Sequence, residues 1–203
     1  MDLSDPTTAC LIVADALRAA GLRGSLYGGL ALAAFGEPRE TKDADFVVAS
    51  LTPESFTSAL ESAGHAAAIT FDWTRFGGNL VARVALLGGD TTTGLNVADL
   101  VQPRSARYAD VVLDRSLSGE LRGQPLSIVL PEDFVCLKLL STRDRDLEDA
   151  ASVVRGLADG LDMALVRAEV ELLASTALRK FGEIASGSNP RLCASNASPE
   201  QQV

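Results

Sequence analysis

The residues best suited to chemistry are two aspartates, Asp43 and Asp45, in the segment DADFVVAS at 43–50. Apolar residues dominate this segment, which predicts a β-strand. Side chains alternate between the two faces of a strand, so residues two apart leave on the same side. Two adjacent carboxylates repel each other, and a cation between them removes the repulsion. The pair therefore predicts a site for Mg²⁺ or Mn²⁺, which leaves room for phosphate oxygens.

A third carboxylate, Asp99, lies in the segment LNVADLV at 95–101, which predicts another strand. Asp99 shares one face of that strand with Val97 and Val101. A charge within an apolar strand is costly unless it is paired or bound to a metal. The alternative is a strand-end residue that caps a turn. As a ligand, Asp99 would complete a site that can hold two metal ions, one activating a hydroxyl and one holding a triphosphate.

A glycine pair, Gly28-Gly29, lies between a predicted strand at 25–27 and a predicted short helix at 30–35. Glycine allows the backbone to approach a phosphate closely, and the start of a helix offers free N–H groups. Alone, the pair would indicate a tight turn; together with the aspartates it favours a phosphate site. Arg39 and Lys42 would neutralise phosphate charge there, or they are solvated loop charges.

The segment YGGLALAAFGEPRETKDADF at 27–46 resembles the nucleotidyltransferase (polymerase beta-like) superfamily, in which a glycine pair and a short helix precede two aspartates on a strand. The form GGxAL…RxTxDxD, together with PEDFVCLKLLSTRDRDLEDAASVV at 131–154, resembles AbiEii-type toxins and small aminoglycoside nucleotidyltransferases. The second position of the glycine pair is often Ser in this superfamily and is Gly29 here.

The resemblance implies transfer of a nucleoside monophosphate from an NTP to a hydroxyl, with Mg²⁺ or Mn²⁺ as cofactor. The implied catalytic and metal-binding residues are Asp43, Asp45 and Asp99. The implied nucleotide-binding residues are Gly28, Gly29, Arg39, Thr41 and Lys42. The acceptor would be a tRNA end, a protein or a small molecule, and an antitoxin is a possible partner. The alternative is a non-catalytic nucleotide-binding or protein-interaction module on the same fold.

The predicted elements indicate an α+β protein, with a mixed β-sheet flanked by helices and a helical C-terminal part. We expect a nucleotidyltransferase-like head at 1–130, helices packed on it at 131–181 and a flexible tail at 182–203. Within these parts, 121–129 predicts a short hairpin and 161–178 a single helix.

Lys138 interrupts the apolar run FVCLKLL. Its ammonium group could reach a phosphate, or it could pair with Asp146 or Asp149 on the next predicted helix. These two aspartates are three residues apart and therefore share a helix face. We therefore predict a structural ion pair that braces the C-terminal helices.

The net charge of −9 and the pI of about 4.6 argue against a groove for long nucleic acid, which would need many basic residues. Three widely spaced cysteines, Cys10, Cys136 and Cys193, and a single histidine, His65, offer no zinc-site spacing. The N-terminus has no basic segment typical of a secretory signal, and no apolar run has the length of a membrane span. These features predict a cytoplasmic protein with reduced thiols and no membrane partner.

Overall fold

The computed structural model describes residues 5–87 and 96–186 of the chain. These ranges contain eight α-helices and seven β-strands, which confirms the α+β class. The helices are α1 (Pro6–Ala19), α2 (Gly28–Phe35), α3 (Pro53–Ser62), α4 (Ala106–Arg115), α5 (Pro131–Leu140), α6 (Asp144–Leu157), α7 (Met163–Leu173) and α8 (Ser175–Ala185). The strands are β1 (Gly24–Tyr27), β2 (Asp43–Val48), β3 (Ala66–Phe76), β4 (Asn79–Leu87), β5 (Asn96–Pro103), β6 (Leu117–Leu121) and β7 (Gln124–Ile128).

The strands form one mixed sheet in the order β3-β4-β5-β2-β1-β7-β6. Strand β2 is central, parallel to β5 on one side and antiparallel to β1 on the other. Strands β1 and β7 are also parallel, whereas the remaining pairs are antiparallel. The predicted hairpin is present as β6 and β7, although it begins earlier than expected, at Leu117.

The alternation along β2 separates the core from the carboxylates. Ala44, Phe46 and Val48 are fully buried, and Phe46 shares a cavity wall with Leu17 of α1 and Leu113 of α4. Since successive side chains point to opposite faces, Asp43 and Asp45 lie on the other face of the sheet. Burial of the apolar face of β2 thus determines the side of the sheet on which the two carboxylates lie.

Helix α5 is buried along almost its whole length, and its buried residues include the charged side chains of Glu132, Asp133 and Lys138. Helices α6, α7 and α8 surround it. The Asn79 side chain of β4 donates a hydrogen bond to the Leu137 carbonyl (3.0 Å), and the Gly78 N–H donates to the Leu140 carbonyl (2.9 Å). These bonds attach the C-terminal helices to the β3–β4 turn.

The prediction of a single helix at 161–178 is wrong, because Ala174 is extended (φ −165°, ψ 133°) and separates α7 from α8. The break allows both helices to pack against α5. The buried positions Val166, Val170, Ala177 and Phe181 keep helical spacing across it. Hydrophobic periodicity therefore contains no sign of the break.

The expected flexible tail at 182–203 starts inside α8, which continues to Ala185. The part of the tail at 187–203, which includes Cys193, lies outside the described residues. Cys10 and Cys136 are buried free thiols, in line with the prediction of reduced cysteines.

Candidate metal and nucleotide site

The three predicted carboxylates converge. Asp45 on β2 is directly opposite Asp99 on β5, and Asp43 lies two residues before Asp45. One oxygen from each of the three lies within 4.8 Å of the others. A set made only of carboxylate oxygens suits a hard divalent cation such as Mg²⁺ or Mn²⁺. The arrangement predicted from strand alternation is therefore confirmed, and its donor atoms fit the expected metal.

An arginine, Arg83, also enters this site from β4, where it is directly opposite Asp99. Its guanidinium binds Asp99 in a fork, with Nε 2.6 Å from Oδ1 and Nη2 2.7 Å from Oδ2. The same Nη2 is 3.4 Å from Oδ2 of Asp43. Asp99 is only 4% exposed, so its charge would be costly without this partner. Two of the three carboxylates thus have a cation from the protein itself.

The pairing of Arg83 with Asp99 was not predicted from the sequence. Its segment, NLVARVALL, contains no other charge and therefore draws attention to the arginine. Pairing with Asp99 depends on the β4–β5 register. The alternation of apolar residues does not determine that register.

Asp45 is the carboxylate under the greatest electrostatic strain. Burial, and then the charges of Asp43 and Asp99, raise its pKa to about 7, while Lys138 and Arg143 act in the opposite direction. In the metal-free protein this carboxyl group therefore holds its proton to a much higher pH than an exposed aspartate does. A divalent cation at the same place would favour the ionised form.

Asp45→Asn is expected to stabilise the metal-free protein at pH 8. The folded pKa of about 7 exceeds the ordinary value of 3.8, so the folded state binds more protons between these pH values. The contribution of Asp45 to the free energy of unfolding should therefore fall as pH rises from about 4 to about 7. Asparagine removes this penalty, which is on the order of 2 kcal/mol, or about 4–8 °C in Tm.

Thermal unfolding in EDTA at pH 4 and pH 8 measures this effect. Asp159→Asn serves as the control, because Asp159 is exposed and forms no ion pair within the described ranges. An Asp45→Asn variant whose stability relative to the wild type does not rise between pH 4 and pH 8 would contradict the strained carboxylate.

The glycine pair lies directly against the aspartates. Helix α2 begins at Gly28, earlier than predicted, and no side chain caps its first turn. Gly28 has φ +69°, and a Cβ there would lie 1.9 Å from Oδ2 of Asp45. Only glycine meets both conditions. The uncapped N–H groups at the start of α2 therefore lie beside the carboxylates.

Thr41 explains why the second position of the pair is glycine. A Cβ on Gly29 would lie 2.6 Å from Cβ of Thr41, so Thr41 fills the space of a side chain at that position. The Thr41 hydroxyl donates a hydrogen bond to Oδ1 of Asp43 (2.8 Å). A threonine hydroxyl is thus present at the site, although neither residue of the glycine pair carries one.

The two predicted loop cations differ in their surroundings. Arg39 is held by Asp149 of α6 through two bonds, Nε to Oδ1 (2.9 Å) and Nη2 to Oδ2 (3.0 Å). Lys42 is exposed and has no ion pair in the part of the chain that the structure describes. Of the two residues, Lys42 is therefore the one whose positive charge is available to a phosphate.

Lys138 forms the predicted ion pair, and it does so with both candidate partners. Its Nζ lies 2.7 Å from Asp146 and 2.8 Å from Asp149, and the lysine is 2% exposed. The same ammonium group lies 5.0 Å from the centre of the Tyr27 ring and 5.3 Å from that of Phe134. Lys138 is therefore a buried structural cation that joins α5 to α6.

We compared the chain with known protein families, curated proteins and solved structures. No protein-family model matches the chain, and no curated protein matches it in sequence. An antigenic nucleotidyltransferase-like protein from Paracoccidioides brasiliensis has a similar structure, with a TM-score of 0.55 and 18% identity over 93% of this chain and 90% of that chain. The chain has a nucleotidyltransferase-like fold. The antibiotic-resistance factor ANT(2'')-Ia also shares this nucleotidyltransferase-like fold, with a TM-score of 0.50 and 13% identity over 93% of each chain.

The nucleotidyltransferase-like fold places all three carboxylates on two neighbouring strands, β2 and β5, in the middle of the sheet. The described residues contain no helix that is long and apolar enough to cross a membrane.

Proposed function

We propose that this chain is a metal-dependent nucleotidyltransferase, which transfers a nucleoside monophosphate from an NTP to a hydroxyl acceptor and releases pyrophosphate. The main support for the proposal is that carboxylate oxygens of Asp43, Asp45 and Asp99 lie within 4.8 Å of one another. They lie beside the start of α2, where no side chain caps the helix. A divalent metal bound there would neutralise phosphate charge and acidify the acceptor hydroxyl. The shared fold supports the same reaction class.

The protein's own groups have distinct roles in this proposal. The backbone N–H groups at Gly28 and Gly29 donate hydrogen bonds to phosphate oxygens, and Lys42 adds a positive charge. Asp99 accepts the proton as the acceptor O–H bond breaks. The hydroxyl oxygen then bonds to the α-phosphorus, and the bond from that phosphorus to pyrophosphate breaks. Arg83 binds both oxygens of Asp99 through one N–H each, and each oxygen keeps a further lone pair that can accept this proton.

The remaining predicted nucleotide-binding residues act by positioning. The bond from Thr41 to Asp43 orients that carboxylate toward the site. The fork between Arg39 and Asp149 fixes the loop that precedes β2 on α6. Arg39 would thus contribute to nucleotide binding through the loop and through its positive field.

The acceptor is the least determined part of the proposal. An RNA end, a protein hydroxyl and a small molecule all meet the chemical requirement, and the first two are compatible with a toxin that has an antitoxin partner. The second candidate function is a non-catalytic nucleotide-binding or protein-interaction module. Arg83 favours this candidate, because it supplies a cation to Asp43 and Asp99 without a metal.

A pyrophosphate-release assay separates the two functions. The protein is incubated with each NTP in Mg²⁺ or Mn²⁺ and with total RNA, a protein extract or an aminoglycoside mixture as acceptor. An enzyme is expected to release pyrophosphate only when both metal and one acceptor class are present, and EDTA should stop the release. Metal-dependent NTP binding without release in any mixture would favour the non-catalytic module.

A further inference from the structure

A second cavity of about 430 Å³ lies between the β3–β4 turn, the end of β5 and the C-terminal helices. Four basic residues line it, namely Arg75, Arg104, Arg179 and Lys180, and no acidic residue from the described ranges does. The whole chain has 18 basic and 27 acidic residues, so a positively charged cavity wall contrasts with the net negative charge of the protein.

Three of these four cations, Arg75, Arg104 and Lys180, form no ion pair with any residue that the structure describes. Within residues 5–87 and 96–186, neither Arg75 nor Arg104 forms an ion pair; the Arg75 Nε donates only to the Gly77 carbonyl (3.2 Å). Lys180 donates to the carbonyls of Leu139 and Ser141 at the end of α5. Burial and then the charge of Arg179 lower the pKa of Lys180, while the nearby carboxylates of Asp146, Glu183 and Asp144 act in the opposite direction. Basic side chains gathered along one wall repel one another, and a bound anion would relieve this repulsion.

The cavity also contains the start of a helix. Helix α8 begins after the extended residue Ala174, and no side chain caps its first turn. Ala174 and Thr176 line the cavity, so the free N–H groups of this turn and the Thr176 hydroxyl are close to the basic side chains. An uncapped helix start adds donors and a positive dipole end to the same space.

The walls of the cavity are held in place by backbone hydrogen bonds. The Gly78 N–H donates to the Leu140 carbonyl, and the Arg104 N–H donates to the Gly78 carbonyl, each at 2.9 Å. The turn, the end of β5 and the end of α5 are therefore fixed relative to one another. A site of this kind is organised before a ligand arrives.

We propose that this cavity binds a phosphate group of an anionic ligand, carried either by a nucleic-acid backbone or by a free phosphorylated compound. Arg75, Arg104 and Lys180 supply the charge, and the start of α8 supplies backbone N–H donors. The site is separate from the three carboxylates, because Pro103 in its wall is four residues beyond Asp99 on β5, or about 13 Å. Binding there does not require the transferase reaction.

Both sites nevertheless belong to the same face of the sheet. Pro103 is four positions after Asp99 on β5, which is an even step, so their side chains leave on the same side. A ligand with several phosphates along its length can therefore contact the cavity while another part of it approaches the carboxylates. A polycationic acceptor such as an aminoglycoside would be repelled by the cavity.

Isothermal titration in EDTA tests the site with two probes, tripolyphosphate and a short single-stranded RNA. The variant Arg75→Gln/Arg104→Gln removes two cations. Arg18→Gln/Arg167→Gln is the matched control, because Arg18 and Arg167 are 56% and 66% exposed and pair with acids on their own helices. We expect the Kd of at least one probe to rise about tenfold or more in the double variant and to stay unchanged in the control. The wild-type affinity should fall steeply with salt.

The two probes identify the source of the phosphate. Tighter binding of RNA assigns the site to a nucleic-acid backbone, and tighter binding of tripolyphosphate assigns it to a free phosphorylated compound. Equal affinity of wild type and double variant for both probes, or absence of binding, overturns the proposal. Asp43→Asn/Asp45→Asn should keep this binding in EDTA, so that failure of the transferase proposal and failure of this one give different results.

Discussion

Asp43→Asn/Asp45→Asn is expected to abolish both nucleotidyl transfer and the response of the protein to metal. The two carboxylates share one face of β2, and together they provide two of the three oxygen donors within 4.8 Å. In the wild type, saturating Mg²⁺ should raise Tm by about 5–10 °C through preferential binding to the folded state. Addition of NTP should raise it further only when metal is present, because the phosphates bind the same cation. The double variant should lose these shifts and at least about a hundredfold in transfer rate.

A thermal-shift titration with and without MgATP and MgCTP, combined with the release assay, measures both effects. The matched control is again Asp159→Asn, which removes one carboxylate at an exposed position. The double variant should remain folded in EDTA, with a Tm equal to or above that of the wild type, because it has lost two mutually repelling charges. Equal metal-induced shifts in wild type and double variant would remove the metal role from these residues.

Lys138→Met is expected to destabilise the fold much more than it weakens nucleotide binding. The lysine is 2% exposed, and its removal leaves Asp146 and Asp149 buried with one fewer partner each. Breaking a buried ion pair on one side costs about 3–5 kcal/mol. For a protein of this size the loss corresponds to roughly 10 °C in Tm. Denaturant unfolding and nucleotide titration of the same variant measure the two quantities.

Lys42→Met provides a control with the opposite expectation. Lys42 is exposed and lies next to Asp43, so its replacement should leave Tm within about a degree while reducing affinity for MgNTP. The two lysine variants should therefore rank in opposite order for stability and for nucleotide affinity. If Lys138→Met instead retained its stability and lost nucleotide affinity, Lys138 would belong to the nucleotide site.

The carboxylate site was predictable because it depends on local rules. Strand alternation places Asp43 and Asp45 on one side, and the cost of an unpaired charge in an apolar strand singles out Asp99. Helix spacing identifies Asp146 and Asp149 as partners of Lys138 in the same way. Each of these inferences needs only the period of one element and the charge of its residues.

The features that were missed depend on how separate elements are placed. Arg83 meets Asp99 only in the actual β4–β5 register, and the sequence pattern is compatible with other registers. The break at Ala174 leaves the helical spacing of buried residues unchanged, so it depends on packing against α5. The reason for glycine at position 29 also became visible only when Thr41 was seen to fill the space beside it.

Asp149 links the N-terminal part of the chain to the C-terminal helices, which limits where the protein can be truncated. It is a single buried acid that binds Arg39, from the loop before β2, and Lys138, from α5. A truncated protein that ends before α6 would leave both cations without this counter-charge, one of them in the interior beside Tyr27. The head and the C-terminal helices are therefore not interchangeable modules. A chimera that exchanges the helices must also carry an acid equivalent to Asp149.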